Sequence, residues 1–177
     1  MKDSKTASRY AKALLSLALE GGKLDSVYAN MQSLSETIKG SSDLQSLIKN
    51  PVIKGEDKSK VFSSLFAKDF DDSSMNTINL LLKNKREGLL EEVASQFISQ
   101  YKSHKNIVTA EVVSATKLDE ELKSKVLSLL KHDGEVEIIE RVDASLIGGF
   151  IVTVGDRQID ASIATKFKQL RKEISLN

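Results

Sequence analysis

Gly148, Gly149 and Gly155 flank the apolar run Phe150-Ile151-Val152-Thr153-Val154, and glycines beside a strand are the raw material of a phosphate loop. A P-loop needs Gly-x-x-x-x-Gly-Lys-Ser/Thr, and a dinucleotide loop needs Gly-x-Gly-x-x-Gly at a strand-to-helix turn. Neither spacing is met. A glycine pair at the mouth of an apolar strand points instead to a bulge or a close backbone approach. Gly155-Asp156 has the composition of a turn. Asp156 and Asp160 form a possible carboxylate pair, but a metal site or acid–base dyad needs further converging ligands. Their neighbour is the cation Arg157, and no histidine is near in sequence. Turn and helix-cap duties account for both.

The remaining chemistry-bearing residues are sparse. There is no cysteine, which excludes disulfides, thiolate catalysis and Cys-based zinc sites. His104 and His132 sit in polar stretches beside Lys105 and Asp133 and read as solvated surface histidines. Glu91-Glu92 and Lys83-Asn84-Lys85-Arg86 read as solvated helix ends, with cations favoured near a helix C-terminus. No arrangement activates a nucleophile or a water, so no catalytic residue, metal or cofactor is expected. Lys plus Arg total 26 against 25 Asp plus Glu, so the basic excess of a nucleic-acid binder is missing. No stretch approaches the ~20 apolar residues of a membrane helix. The first residues lack the apolar run of a signal peptide. The chain is expected in a reducing compartment, associated with a membrane only through a partner.

The elements follow from apolar spacing. The stripe Tyr10, Leu14, Leu17 and Ala18 predicts a first helix ended by Gly21-Gly22. Leu24, Val27, Tyr28, Met31, Leu34 and Ile38 predict a second, closed by Gly40. Ser41 or Ser42 caps a short third helix, which Asn50-Pro51 breaks. A fourth begins at Glu56-Asp57 and carries Val61, Phe62, Leu65 and Phe66. A fifth is capped by Asp72 or Ser73, and a sixth carries Leu89, Leu90, Val93, Phe97 and Tyr101. Amphipathic helices with short connections bury their stripes on one another, which predicts a six-helix bundle over residues 1–104.

After Lys105 the period changes. Val108, Ala110 and Val112 alternate with polar residues, as in a strand. Leu118, Leu122, Val126 and Leu129 predict a helix. Val136, Ile138 and Val142 predict a strand, and the run from Phe150 to Val154 another. A last helix carries Ile163, Phe167, Leu170 and Ile174 with Asp160 as its N-cap. The fold class is α+β: a helical bundle, then a small strand-helix-strand-strand-helix domain over residues 105–177. Charge, length and the absence of a chemical constellation favour an interaction protein. A nucleic-acid-binding helical and α+β module is the alternative, and a small hydrolase is a third reading.

Four blocks carry a resemblance. They are Arg9-Tyr10-Ala11-Lys12-Ala13-Leu14; Leu47-Ile48-Lys49-Asn50-Pro51-Val52-Ile53 with Lys58, Phe62, Leu65 and Phe66; and residues 78–86 with Leu89-Leu90, Phe97 and Tyr101. The most specific joins Val142-Asp143, Leu146-Ile147-Gly148-Gly149-Phe150, Gly155-Asp156 and Ile159-Asp160-Ala161-Ser162. In this order and spacing the chain resembles the delta subunit of F-type ATP synthases, the oligomycin-sensitivity-conferring protein family, over almost its whole length. One departure is Ser8 before Arg9-Tyr10, where members often carry Arg-Pro before the tyrosine.

The resemblance implies a non-catalytic stator adaptor, one copy per complex, that binds no nucleotide. Its helical bundle would hold N-terminal segments of the alpha subunits of the catalytic head. Its small domain would hold the C-terminal ends of the peripheral-stalk b subunits, at the cytoplasmic face of a bacterial plasma membrane. By the same resemblance the first and fifth helices line the head-binding groove, with Tyr10, Ala13, Leu14, Leu81 and Asn84. Leu14 and Leu81 are equally readable as core. The stalk-domain residues are Ile147, Gly148, Gly149, Ile151, Gly155, Asp156 and Asp160.

Overall fold

The computed structural model describes residues 2–130 and 134–175, with side chains 2–3, 169–170 and 172–175 left aside. His132 and Asp133 lie outside the described residues, as do the side chains of Leu170 and Ile174. The chain divides into two compact units, Met1–Lys102 and Ser103–Asn177.

The first unit is helical. Its elements are α1 (Lys2–Glu20), α2 (Leu24–Gly40), α3 (Ser42–Lys49), α4 (Gly55–Phe66), α5 (Asp72–Lys83), a 3-10 turn (Glu87–Leu89) and α6 (Leu90–His104). Helix α1 stops because Gly22 takes φ +63°. The Lys23 N–H then donates to Ala18 O (2.9 Å) and the Gly22 N–H to Leu19 O (3.2 Å), a Schellman closure. Ser41 caps α3, its hydroxyl accepting from the Leu44 N–H at 3.2 Å. The buried face of α1 is Ala7, Ala11, Leu14 and Ala18, whereas Leu17 is exposed. The expected stripe is therefore rotated: small alanines let neighbouring helices approach closely. Phe62 and Phe97 are fully buried, each contributing about 1.5–3 kcal/mol by burial. Tyr28 and Tyr101 stack at 3.9 Å between centroids.

Neither Asp72 nor Ser73 caps α5; Asp71 precedes it in an extended conformation. The Asp71 carboxylate pairs with Lys23 at 3.1 Å and accepts from the Ser26 hydroxyl. The buried Asn30 amide completes this junction, its oxygen on the Asp71 N–H (2.9 Å) and its nitrogen on Ser26 O (3.3 Å). The Ser26 hydroxyl, then Lys23, hold the Asp71 carboxyl below its ordinary value.

The second unit contains β1 (Val108–Ser114), α7 (Glu120–Leu130), β2 (Val136–Val142), β3 (Phe150–Val154), β4 (Arg157–Asp160) and α8 (Ile163–Ser175). The sheet order is β2-β1-β3-β4, with β1 and β2 parallel across the α7 crossover and the other pairs antiparallel. The fourth strand corrects the expected three. Its only apolar residue is Ile159, so its strand character comes from pairing with β3. Ala110, Val112, Phe150 and Val152 form the core with Val126 of α7, and Leu122 and Leu130 pack against it. Leu130 takes the place expected for Leu129, which is exposed. Leu118 is buried but precedes α7. Asp119 accepts from the Leu122 N–H at 2.8 Å and so caps that helix.

Candidate partner-binding surfaces

On the helical unit, α1 carries Tyr10, Ala13 and Leu14, α5 carries Leu81, and Asn84 directly follows α5. Leu14 and Leu81 are each 1% exposed and belong to the core, so they support the surface rather than face it. Tyr10 is half-buried, and Ala13 and Asn84 are exposed. The Tyr10 hydroxyl accepts from Asn84 Nδ2 and from Arg86 Nη1, both at 3.3 Å. Arg86 was expected only as a solvated helix end; its place in the same block as Asn84 was the available signal. The chain reaches this geometry by reversing at Lys85, φ +56°. The Arg86 N–H donates to Leu81 O (2.8 Å) and the Lys85 N–H to Leu82 O (3.1 Å).

Beneath that reversal lies Lys58, fully buried. Its Nζ donates to Ile48 O at 3.0 Å and to Glu87 Oε1 at 2.6 Å. Burial pushes the Glu87 carboxyl up, but Lys58, a backbone hydrogen bond and the Lys85 charge together bring it below its ordinary value. Sequence reasoning quoted Lys58 without giving it a role. Lys58 shares one helical face with Phe62 and Phe66, but a lysine at such a position ordinarily marks solvent.

On the small unit the nominated residues divide between the two ends of β3. At its start Gly148 and Gly149 take φ +154° and +79°. A Cβ on Gly149 would lie 2.5 Å from Ala161 O and 2.9 Å from Ser162 Cα. The expected close backbone approach is therefore real. It is fixed by the Ala161 N–H on Phe150 O (2.9 Å) and the Ile163 N–H on Gly148 O (3.0 Å). Ile147 beside it is 81% exposed. Ile151 pairs in register with Asp160. It projects from the sheet face opposite Phe150 and Val152. Gly155 and Asp156 form the β3–β4 hairpin loop at the far end, Gly155 at φ +55°.

Asp160 ends β4 and is not the N-cap of α8. Ser162 takes that place, its hydroxyl accepting from the Thr165 N–H at 3.3 Å. Asp160 accepts from the Ser162 N–H (2.8 Å) and the Thr165 hydroxyl (2.7 Å), bracing the turn into the helix. Ser162, then Thr165, hold the Asp160 carboxyl below its ordinary value. Between α7 and α8 opens a groove of about 490 Å³, lined by Leu122, Leu129, Gly149, Phe150 and Ile163. Phe167 on α8 is 68% exposed. His104 is exposed at the end of α6.

The family model of the ATP synthase delta (OSCP) subunit matches residues 6–174, and the chain belongs to that family. The relatives it matches include the ATP synthase subunit delta of Cytophaga hutchinsonii, 32% identical over 99% of this chain and 97% of that one. The subunit delta of Christiangramia forsetii is 36% identical over 100% of this chain and 97% of that one. A chain of the Toxoplasma gondii mitochondrial ATP synthase hexamer shares the fold, with TM-score 0.70 and 24% identity over 95% of this chain and 96% of that one. The chain is thus a non-catalytic stator component of an ATP synthase peripheral stalk. A nucleic-acid-binding role is not favoured. It is part of a membrane-associated complex, and no helix among the described residues is long and apolar enough to cross a membrane.

Proposed function

We propose that the chain is a two-ended adaptor, one copy per complex, at the cytoplasmic face of a bacterial plasma membrane. The helical unit forms the family's six-helix bundle and takes N-terminal segments of the alpha subunits against α1 and α5. The small unit takes the C-terminal ends of the b subunits, through the surface around Ile147, Gly149 and α8. Such an adaptor keeps the catalytic head from turning with the central shaft during proton-driven ATP synthesis.

The observation that carries the head-binding half is the Tyr10–Asn84–Arg86 cluster beside exposed Ala13 and Leu17. A polar clasp next to open apolar surface suits an amphipathic helix laid along a groove. The stalk-binding half is supported by exposed Ile147, Ile163 and Phe167 around one end of the small unit. A stator joint must outlast many turnovers, and a nanomolar affinity corresponds to roughly −12 kcal/mol. Calorimetry with a peptide of the alpha N-terminal segment tests the first half. Saturable binding to the full-length chain that Ala13→Trp abolishes supports it, and no binding to the parent chain overturns it.

A further inference from the structure

Lys58 is fully buried, yet it occupies a position where an apolar residue would pack. Phe62 and Phe66, one and two turns further along α4, fill the core from the same face. An ammonium there must be desolvated, and buried ion pairs often give no more stability than apolar replacements of similar volume. The compensation is specific: Nζ reaches Ile48 O in the last turn of α3 at 3.0 Å and Glu87 Oε1 at 2.6 Å. A cation is favoured at the carbonyl end of a helix. One side chain therefore ties α3, α4 and the 3-10 turn together.

Glu87 follows directly on the reversal that ends α5. Lys85 holds a left-handed backbone at φ +56°, which is unfavourable for a residue with a Cβ. Such a conformation persists where the surroundings over-determine it. Two backbone hydrogen bonds close the reversal on its α5 side, Arg86 N–H to Leu81 O and Lys85 N–H to Leu82 O. The Lys58–Glu87 pair stands on the other side. The outcome is that Asn84 and Arg86, which flank Lys85, both reach the Tyr10 hydroxyl.

We propose that Lys58 is a positioning residue: by anchoring Glu87 from inside the helical unit it holds the α5–α6 turn in its left-handed form and so presents Asn84 and Arg86 to Tyr10. What that cluster serves rests on the head-binding role proposed above; the positioning itself does not. Lys58→Met alone leaves a half-buried carboxylate without its cation and is liable to destabilise the unit. The deciding variant is Lys58→Met/Glu87→Met in the full-length chain, read by amide hydrogen exchange. Protection at the Lys85 and Arg86 amides should fall by about tenfold or more, while that at Met31 and Phe97 holds within about twofold. Unchanged protection at Lys85 and Arg86 overturns the proposal, and so does an equal fall at all four amides, which marks a purely structural role. Binding of the alpha-segment peptide to the parent chain is scored separately, so loss of the head-binding role leaves the exchange result interpretable.

Discussion

The Tyr10 hydroxyl and the Asn84 side-chain amide, 74 positions apart in sequence, meet at 3.3 Å. Arg86 reaches the same hydroxyl at the same distance. On the same two helices Leu14 and Leu81 are both core. Ala13 stands exposed. Ala13→Trp should therefore leave the melting temperature unchanged and weaken alpha-peptide binding by about 1.4 kcal/mol or more, a tenfold change. Leu14→Ala should instead cost about 2–5 kcal/mol of stability. Calorimetric titration and thermal unfolding of both variants check the division. A large loss of stability in Ala13→Trp would place that residue in the core.

Gly149 makes a sharper prediction about the small unit. Its φ of +79° and the 2.5 Å approach of Ala161 O to a virtual Cβ leave no room for a side chain. The obstacle is backbone and has no rotamer to give. Gly149→Val should strain this junction by about 1–3 kcal/mol or more. Stalk binding should weaken while the helical unit still holds the head. Thermal unfolding of the variant, with co-sedimentation on stripped membranes, provides the readout. Intact stability and intact stalk binding would contradict the role given to the glycine pair.

Acid should loosen specific joints. The folded-state carboxyls of Asp71, Asp160 and Glu87 are all depressed, from ordinary values of 3.8, 3.8 and 4.5. A depressed carboxyl contributes stability that is present above its unfolded value and lost as pH falls through its folded value. Stability should hold from neutrality to about pH 5 and decline below about pH 4. Asp71→Asn should cost stability near neutrality, and that cost should shrink on acidification. Urea midpoints of the parent and Asp71→Asn proteins across that range measure it. A constant difference would mean that the pairing with Ser26 and Lys23 contributes nothing through its charge.

The helices were legible because apolar stripes with glycine or Asn-Pro stops leave few alternatives, as in α2 and α3. The buried face of α1 was harder, because alanine carries little weight in an apolar pattern although Ala7, Ala11 and Ala18 make the contact. Strand β4 was illegible for a different reason. Arg157-Gln158-Ile159-Asp160 has almost no pattern of its own, and its conformation is imposed by the register with β3. Lys58 was hidden by its type, since a lysine in a pattern marks solvent until its partners are known. The proximity of Tyr10 and Asn84 came from family resemblance, as no spacing in one chain links positions so far apart. Gly149 was legible from local chemistry, because the glycine pair at a strand mouth already implied a close approach.

The division of the chain gives a further expectation. Periodicity turns from helical to alternating beyond Lys105, and the structure ends α6 at His104 before β1 begins at Val108. A fragment of residues 1–104 should unfold cooperatively and keep its affinity for the alpha segment. Circular dichroism in denaturant checks this. A fragment with no cooperative transition would show that the helical unit depends on the rest of the chain.

The central claim is that one chain joins two partners through two separate ends. Deleting everything after residue 106 in the assembled enzyme tests it most directly, with the subunit tracked on the released head and coupling measured in membrane vesicles. The two-ended account predicts that the truncated subunit stays on the head and that the head washes off the membranes. ATP hydrolysis by the freed head should continue without proton movement. If the truncated subunit leaves the head anchored and proton transport coupled, the small unit is not the stalk joint and the account is wrong.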